Sequence, residues 1–166
     1  AMTTIDITVN GKHVSIDDSC SVLDAINSSG TSIPQLCKDP DMKPIGACRT
    51  CLVEIDGVRG FPASCSTPVS DGMKVLTGTE QLQEVRNGVL ELTAGMLPNV
   101  DKSAFRELST AMSTSSTSPN VWQGRDRQKT DSSNPIFDIS MDSCILCGRC
   151  AQACQAGHQF IGAIDV

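Results

Sequence analysis

The chain has 166 residues, 19% charged side chains and a net charge of −6, a size that suits one ordinary domain or two small ones. No block of Lys or Arg is long enough for a nucleic-acid or membrane patch, and no apolar run approaches the roughly 18 residues that span a bilayer. Residues Ala1–Asp6 lack the basic-then-apolar pattern of an export signal, so an acidic cytoplasmic protein that docks onto other proteins is expected.

From the N-terminus, Ile5, Ile7 and Val9 alternate with polar residues, and Val14 and Ile16 resume the alternation after Asn10-Gly11. Asn-Gly favours positive φ at both turn positions, which predicts a β-hairpin. Ser21 can cap a short helix carrying Val22, Leu23 and Ile26, with Gly30 as its stop. Leu52–Ile55 and Met73–Leu76 read as further strands, and Asp56-Gly57 as a turn. Two strands, a helix, a cysteine loop and more strands make a β-grasp arrangement. Thr77 and Glu80 have the spacing of a capping box. Beyond them Leu82, Val85, Val89, Leu92 and Met96 recur at helical spacing as one apolar face, closed by Pro98. A second helix is expected at about Lys102–Met112. Residues 109–118 then hold eight Ser or Thr, a composition suited to a linker or to a coil laid on a partner. Trp122, Arg125, Arg127 and Lys129 follow, read as a solvated loop with one anchoring aromatic. Ordered structure resumes at Pro135–Ile139.

Nine cysteines stand out in a chain with no Tyr, one Trp and four Phe. A core of Ile, Val, Leu and Met with modest burial is implied, so bound metal would contribute to folding. The count is odd, and residues 66–143 contain no cysteine. Disulfide scaffolds are usually short, secreted and even in count, so thiolate metal ligands are the better reading. The first set is spaced Cys37-x10-Cys48-x2-Cys51-x13-Cys65. A [2Fe–2S] rhombus needs four thiolates, two per iron, and a C-x2-C pair delivers two from one tight loop. The loop Pro44–Cys51 is rich in small residues, which lets backbone N–H groups approach the sulfurs. Lys38, Lys43 and Arg49 add nearby positive charge that should raise the potential. Structural zinc is the alternative, but four-cysteine zinc sites usually carry two C-x2-C knuckles. Cys20 stands apart and is expected to be a buried, inert thiol.

The stretches Ile33–Cys37, Gly46–Glu54 and Pro62–Cys65, set on a β-grasp sequence, resemble the N-terminal ferredoxin domain of the complex I iron–sulfur subunit family. That family includes NAD-reducing and iron-only hydrogenases and the large subunit of NAD-dependent molybdenum or tungsten formate dehydrogenases. The resemblance implies Cys37, Cys48, Cys51 and Cys65 as the [2Fe–2S] ligands. Family members continue into a segment whose one His and three Cys bind a [4Fe–4S] cluster. Here Thr93–Val100 occupies that place, no Cys lies between Cys65 and Cys144, and the histidines are His13 and His158. The middle cluster cannot be ligated in the family's way, so electrons must skip that relay or use a cluster on another subunit.

The second set, Cys144-x2-Cys147-x2-Cys150-x3-Cys154, is the run of bacterial ferredoxins. It implies a [4Fe–4S] cubane, with Gly148 permitting a tight path. In two-cluster ferredoxins the fourth cysteine serves the other cluster and is followed by Pro, whereas Gln155 follows Cys154. Either Cys154 turns back to complete one cubane or the missing half lies elsewhere; His158 reads as a surface residue before it reads as a ligand. The words Ser133–Phe137 and Cys144–Cys150 resemble the formate dehydrogenase branch.

The expected fold is α+β: a β-grasp [2Fe–2S] ferredoxin domain at 1–78, a helix and Ser/Thr-rich linker at 79–134, and a ferredoxin-like [4Fe–4S] half-domain at 135–166. The expected function is electron transfer between a flavin/NAD subunit and a catalytic molybdenum or tungsten subunit, formate dehydrogenase-like. A NAD-reducing or electron-bifurcating hydrogenase is the second choice. A redox-sensing regulator without a catalytic partner is the rival from another class. Nothing resembles a flavin site, a GxGxxG fingerprint or a molybdenum site. Phe160, Ile161 and Ile164, expected as a strand with too little of its own core to cover, and the Ser/Thr-rich stretch lead to the expectation of a covering partner.

Overall fold

Asn10 and Gly11 turn the chain with φ of 50° and 81°, the two left-handed residues a type I′ hairpin needs. The structure, a computed structural model, describes residues 3–97 and 130–156. The turn joins β1 (Thr4–Val9) to β2 (Lys12–Asp17) in a register that pairs Val9 with Lys12 and Ile7 with Val14. With a side-chain period of two, that register sends Ile7, Val9 and Val14 to one buried face. Two further strands complete the sheet, β3 (Glu54–Ile55) and β4 (Lys74–Leu76). The order is β2-β1-β4-β3, with β1 and β4 parallel and β3 and β4 antiparallel. This is the expected β-grasp arrangement.

The helix α1 (Val22–Ser28) lies against the buried face. Ser21 caps it, its hydroxyl accepting from the Asp24 N–H while the Asp24 carboxylate accepts from the Ser21 N–H, a reciprocal cap worth about 1 kcal/mol. Gly30, at φ 82°, lets the chain leave the helix. Val22, Leu23, Ala25 and Ile26 are all fully buried, and each of the larger three contributes about 1.5–3 kcal/mol of apolar burial. Val53, Ile55, Val75 and Leu82 join the same core, as do Cys51 and Cys65. The core is Ile, Val and Leu as expected, but among the described residues no methionine is buried in it; Met73 only packs on its margin.

Two local expectations fail for tertiary reasons. Thr77 does not cap α2 (Glu80–Gly95); the N-cap is Thr79, without a side-chain cap bond. Thr77 is held by Asn10 instead, whose Nδ2 donates to Thr77 Oγ1 (2.8 Å) and whose Oδ1 accepts from the Thr77 N–H (2.9 Å). The buried stripe of α2 is also rotated from the expected one. Leu82, Arg86, Leu90, Thr93 and Ala94 are buried, while Val85 and Leu92 are 42% and 48% exposed. A charged residue therefore sits where an apolar one was anticipated.

The second described segment starts with a tight turn. Asp131 and Ile139 exchange two backbone hydrogen bonds of 2.9 Å, and the side chains of Asp131 and Asn134 accept from the N–H groups of Ser133 and Ile136. A short 3-10 turn at Met141–Ser143 leads into the cysteine loop and α3 (Arg149–Ala156). The helix expected near Lys102–Met112, the Ser/Thr-rich stretch, Trp122, Arg125, Arg127, Lys129, His158 and Phe160–Ile164 lie outside the described residues. Among the described residues no helix is long and apolar enough to cross a membrane.

Asn10 serves both the turn and the join to α2. Asn10→Ala should destabilise the chain by roughly 2–3 kcal/mol, combining a left-handed alanine with two lost hydrogen bonds. Asn10→Gly, free of the backbone penalty, should recover about 1 kcal/mol. Urea unfolding midpoints of the two variants against the parent check both values.

Candidate metal centre

Cys51 and Cys65 meet because of strand-like pairing between the segments that carry them. Leu52 and Ala63 form an isolated antiparallel bridge, and the Val53 N–H donates to Pro62 O (3.1 Å). Ser64, opening the 3-10 turn Ser64–Ser66, donates twice to the Cys51 carbonyl, through its N–H (3.0 Å) and its hydroxyl (2.7 Å). Both cysteines are only 1% exposed. Cys37 arrives from the other side, at the end of a loop anchored by buried Ile33 and Leu36. The Leu36 N–H donates to Thr50 Oγ1 (3.3 Å), and Thr50, itself fully buried, also hydrogen-bonds Cys48 Sγ (3.1 Å). One hydroxyl thus ties the Cys37 loop to the Cys48–Cys51 loop.

That second loop curls through two left-handed residues, Gly46 (φ 66°) and Arg49 (φ 55°). A Cβ at buried Gly46 would stand 3.2 Å from Ser66 Oγ, so only glycine passes there without displacement. The curl aims backbone donors at sulfur: the N–H groups of Ala47 and Cys48 reach Cys37, that of Thr50 reaches Cys48, and that of Cys65 reaches Cys51. The four thiols are free, not disulfide-bonded, and hydrogen-bond one another in a chain. Donation from Cys48 and Cys65 holds Cys37 far below the ordinary thiol value, and donation from Cys65 holds Cys51 below it. The donors move the opposite way: Cys48 is pushed up by its bond to Cys37, and Cys65 by its bonds to Cys37 and Cys51. Such a set is poised to carry negative charge, and a metal replaces the protons it still shares. Four convergent sulfurs with N–H donors aimed at them match the donor chemistry of an iron–sulfur cluster.

Cys20 takes no part. It packs on the margin of the hydrophobic core, and burial, with the carboxylates of Asp24 and Asp17, pushes its thiol up. It is half-buried rather than buried as expected. Of the expected basic residues, Arg49 and Lys43 are exposed and Lys38 is half-buried.

The second set lies in a loop and on a helix. Leu146 (φ 53°) and Gly148 (φ 72°) curl the chain, and the Leu146 N–H donates to Cys144 Sγ (3.4 Å). Cys150 and Cys154 lie one turn apart on α3, on one face. Cys150 is exposed and Cys144, Cys147 and Cys154 are half-buried; none of the four is disulfide-bonded. The segment is seated on the first cysteine loop. Arg149 pairs with Asp39 (2.8 Å), and with the Asp41 N–H this holds the Asp39 carboxyl below the usual carboxylate range. The Gln152 amide donates to the Lys43 carbonyl. Cys48, from the first set, and Ile145, from the second, both pack on a small core of Leu36, Leu90 and Leu97.

With this geometry in hand, comparison with known proteins is decisive. Residues 2–80 match the 2Fe-2S iron-sulfur cluster binding domain family, and residues 137–157 match the 4Fe-4S binding domain family. Over 95% of its length the chain is 31% identical to the alpha subunit of the NADPH-Fe(3+) oxidoreductase of Geobacter sulfurreducens. It is 33% identical to the HndD subunit of the NADP-reducing hydrogenase of Solidesulfovibrio fructosivorans over 92%. It is 29% identical to the mitochondrial NADH-ubiquinone oxidoreductase 78 kDa subunit of Candida albicans over 89%. A crystal structure of NAD+-reducing [NiFe]-hydrogenase in the H2-reduced state superposes with a TM-score of 0.80 at 29% identity, covering 95% of this chain and 69% of that one. The chain is related to the N-terminal iron–sulfur region of these oxidoreductase subunits. It spans only 19%, 28% and 22% of the length of those three curated relatives. Its cofactors are accordingly one [2Fe–2S] and one [4Fe–4S] cluster.

Sequence reasoning missed two residues that this iron–sulfur region uses. Thr50 sits inside the C-x2-C pair and has no spacing signal of its own. Arg86 had one, since its distance of four residues from both Leu82 and Leu90 places it on the same helix face. Thr50→Val should strand the buried Leu36 N–H and destabilise the chain by about 1–3 kcal/mol. Thr50→Ser should stay near the parent in chemical denaturation, because it keeps the hydroxyl.

Proposed function

We propose that this chain is an electron-transfer module of a multi-subunit NAD(P)-linked oxidoreductase. In this reading Cys37, Cys48, Cys51 and Cys65 ligate the [2Fe–2S] cluster, and Cys144, Cys147, Cys150 and Cys154 ligate the [4Fe–4S] cluster. The observation that carries it is the convergence of four largely buried thiols with backbone N–H donors aimed at their sulfurs. The clusters supply one-electron transfer. The chain's own part is to position them, exclude water and stabilise added negative charge. The N–H groups at Cys37, Cys48 and Cys51 do the last of these, because hydrogen bonds to sulfur favour the more reduced, more negative state.

The second segment adds a contact suited to transfer between the centres. Ile145 and Cys48 share one apolar core, so the two cysteine loops are joined by packed side chains without a middle ligand set. The proposed partners are a flavin/NAD subunit on one side and a catalytic metal subunit on the other, in the cytoplasm. The finer assignment to formate dehydrogenase rests on the words Ser133–Phe137 and Cys144–Cys150. The hydrogenase alternative is supported by the hydrogenase names among the relatives. Purification of the complex from its native source, followed by reduction of the clusters with formate, hydrogen or NAD(P)H in turn, separates the two.

The reconstituted chain should contain iron and acid-labile sulfide and, once reduced, give separate [2Fe–2S] and [4Fe–4S] EPR signals. Cys48→Ser or Cys51→Ser should abolish or distort the first signal alone, Cys147→Ser the second alone, and Cys20→Ser neither. Stoichiometric zinc with negligible sulfide would overturn the cluster reading. Loss of a cluster in the Cys20 variant, with both retained in the Cys48 variant, would overturn the ligand assignment.

A further inference from the structure

Arg86 is a cation in the wrong place for an ordinary helix. It lies on the inward face of α2 at 9% exposure, on the stripe shared with Leu82, Leu90 and Thr93. Its Nη1 donates to Thr77 O (3.1 Å) and its Nη2 to Leu52 O (2.5 Å). Its Nε is buried without a hydrogen-bond partner. Among the described residues no carboxylate forms an ion pair with it; the ion pairs there join His13 to Asp6, Lys74 to Asp56 and Arg149 to Asp39. A buried charge lacking an opposite charge costs several kcal/mol, and two neutral carbonyls offset only part of that. An anion nearby is the natural compensation.

The structure offers one. Leu52, whose carbonyl receives the guanidinium, directly follows Cys51, and Cys51 is 1% exposed in the same core as Leu82. We propose that Arg86 is the buried counter-charge of the [2Fe–2S] centre and raises its reduction potential, a role that rests on the cluster ligation proposed above. Four thiolates around a [2Fe–2S] core leave a net negative centre, and reduction adds one further electron to it. A fixed cation in a low-dielectric interior favours that added charge more than the exposed Lys43 and Arg49 or the half-buried Lys38 can. The electrostatics agree in direction: burial lowers the guanidinium's proton affinity, and the Cys51 thiolate raises it again. Arg is suited to the place, since it stays charged where a buried Lys would tend to lose its proton.

The test is an EPR-monitored redox titration of the cluster-loaded full chain carrying Arg86→Met or Arg86→Lys, with the [4Fe–4S] signal as internal reference. Arg86→Met should make reduction of the [2Fe–2S] centre at least tenfold less favourable, a shift of about 59 mV to lower potential for one electron. The [4Fe–4S] midpoint should stay in place, and Arg86→Lys should fall between Met and the parent. A parent-like [2Fe–2S] midpoint in Arg86→Met would overturn the proposal and leave Arg86 a structural tie between α2, Leu52 and Thr77. Unfolding of the cluster-free chain is the second measurement. A counter-charge predicts that Arg86→Met costs less stability without the cluster than with it. An equal cost in both forms, or a variant that fails to fold even without the cluster, likewise assigns Arg86 to structure alone. A chain that binds zinc without sulfide would instead defeat the cluster reading itself.

Discussion

Four sulfurs must be gathered in a small, water-poor volume and allowed to carry negative charge there. Thiolates repel one another, and burial disfavours the charged form of each, so such a set persists only where donors compensate it. The compensation comes first from neighbouring thiols and the Thr50 hydroxyl and then from the backbone, where N–H groups of Ala47, Cys48, Thr50 and Cys65 reach the sulfurs of Cys37, Cys48 and Cys51. Backbone donors need a backbone that curls, and the left-handed Gly46 and Arg49 supply the curl. The loop is therefore specified by where its peptide groups point as well as by what its side chains touch.

The rest of the fold can be understood as a frame for that loop. The β1–β2 hairpin and α1 supply Ile7, Val9, Val14, Val22, Leu23, Ala25 and Ile26 to the core, while the Leu52–Ala63 bridge and the double donation from Ser64 fix Cys51 against Cys65. The frame closes through α2. Asn10, in the first turn, holds Thr77 just ahead of that helix, and Arg86, on its inner face, holds Leu52 next to the metal loop. A single path of hydrogen bonds thus runs from the hairpin turn to a residue adjoining Cys51. Loss of order at the N-terminal hairpin would be felt at the cysteines.

Features set by neighbours in sequence were legible. Asn10-Gly11 dictates its turn through φ alone, Ser21 caps α1 within one helical turn, and the two cysteine spacings point to two kinds of cluster. Features set by distant partners were not. Thr77-x2-Glu80 is a sound capping-box pattern, but Asn10, 67 residues away, takes the Thr77 hydroxyl and amide. The inner face of α2 was misplaced because a count of apolar residues treats arginine as solvent-facing, whereas Arg86 is buried beside carbonyls. Nothing local links Arg149 to Asp39, which are 110 residues apart, or signals that Ile45 lies over Gly148, where an added Cβ would approach its Cδ1 to 2.9 Å.

That last contact belongs to the seating of the second cysteine loop on the first. Thr93 and Leu97, at the C-terminal end of α2 and just beyond it, are both buried. Leu97 packs with Leu36 and Leu90, and this small core takes Cys48 on one side and Ile145 on the other. That packing seats the second cysteine loop against the first. Leu36 stands next to Cys37 and Ile145 next to Cys144, so each leucine or isoleucine in this contact is tied covalently or by packing to a cysteine of one set. With the proposed ligation, this closeness of the two cysteine loops brings residues flanking both clusters into contact. Arg149, Gln152 and Gly148 fix that closeness by ion pair, hydrogen bond and the lack of a side chain. Because those three lie between or just beyond the cysteines of the second set, the residues that dock the segment and those that would hold its cluster are a single short stretch. Cluster assembly in the second loop and its seating on the first are therefore coupled by chain connectivity.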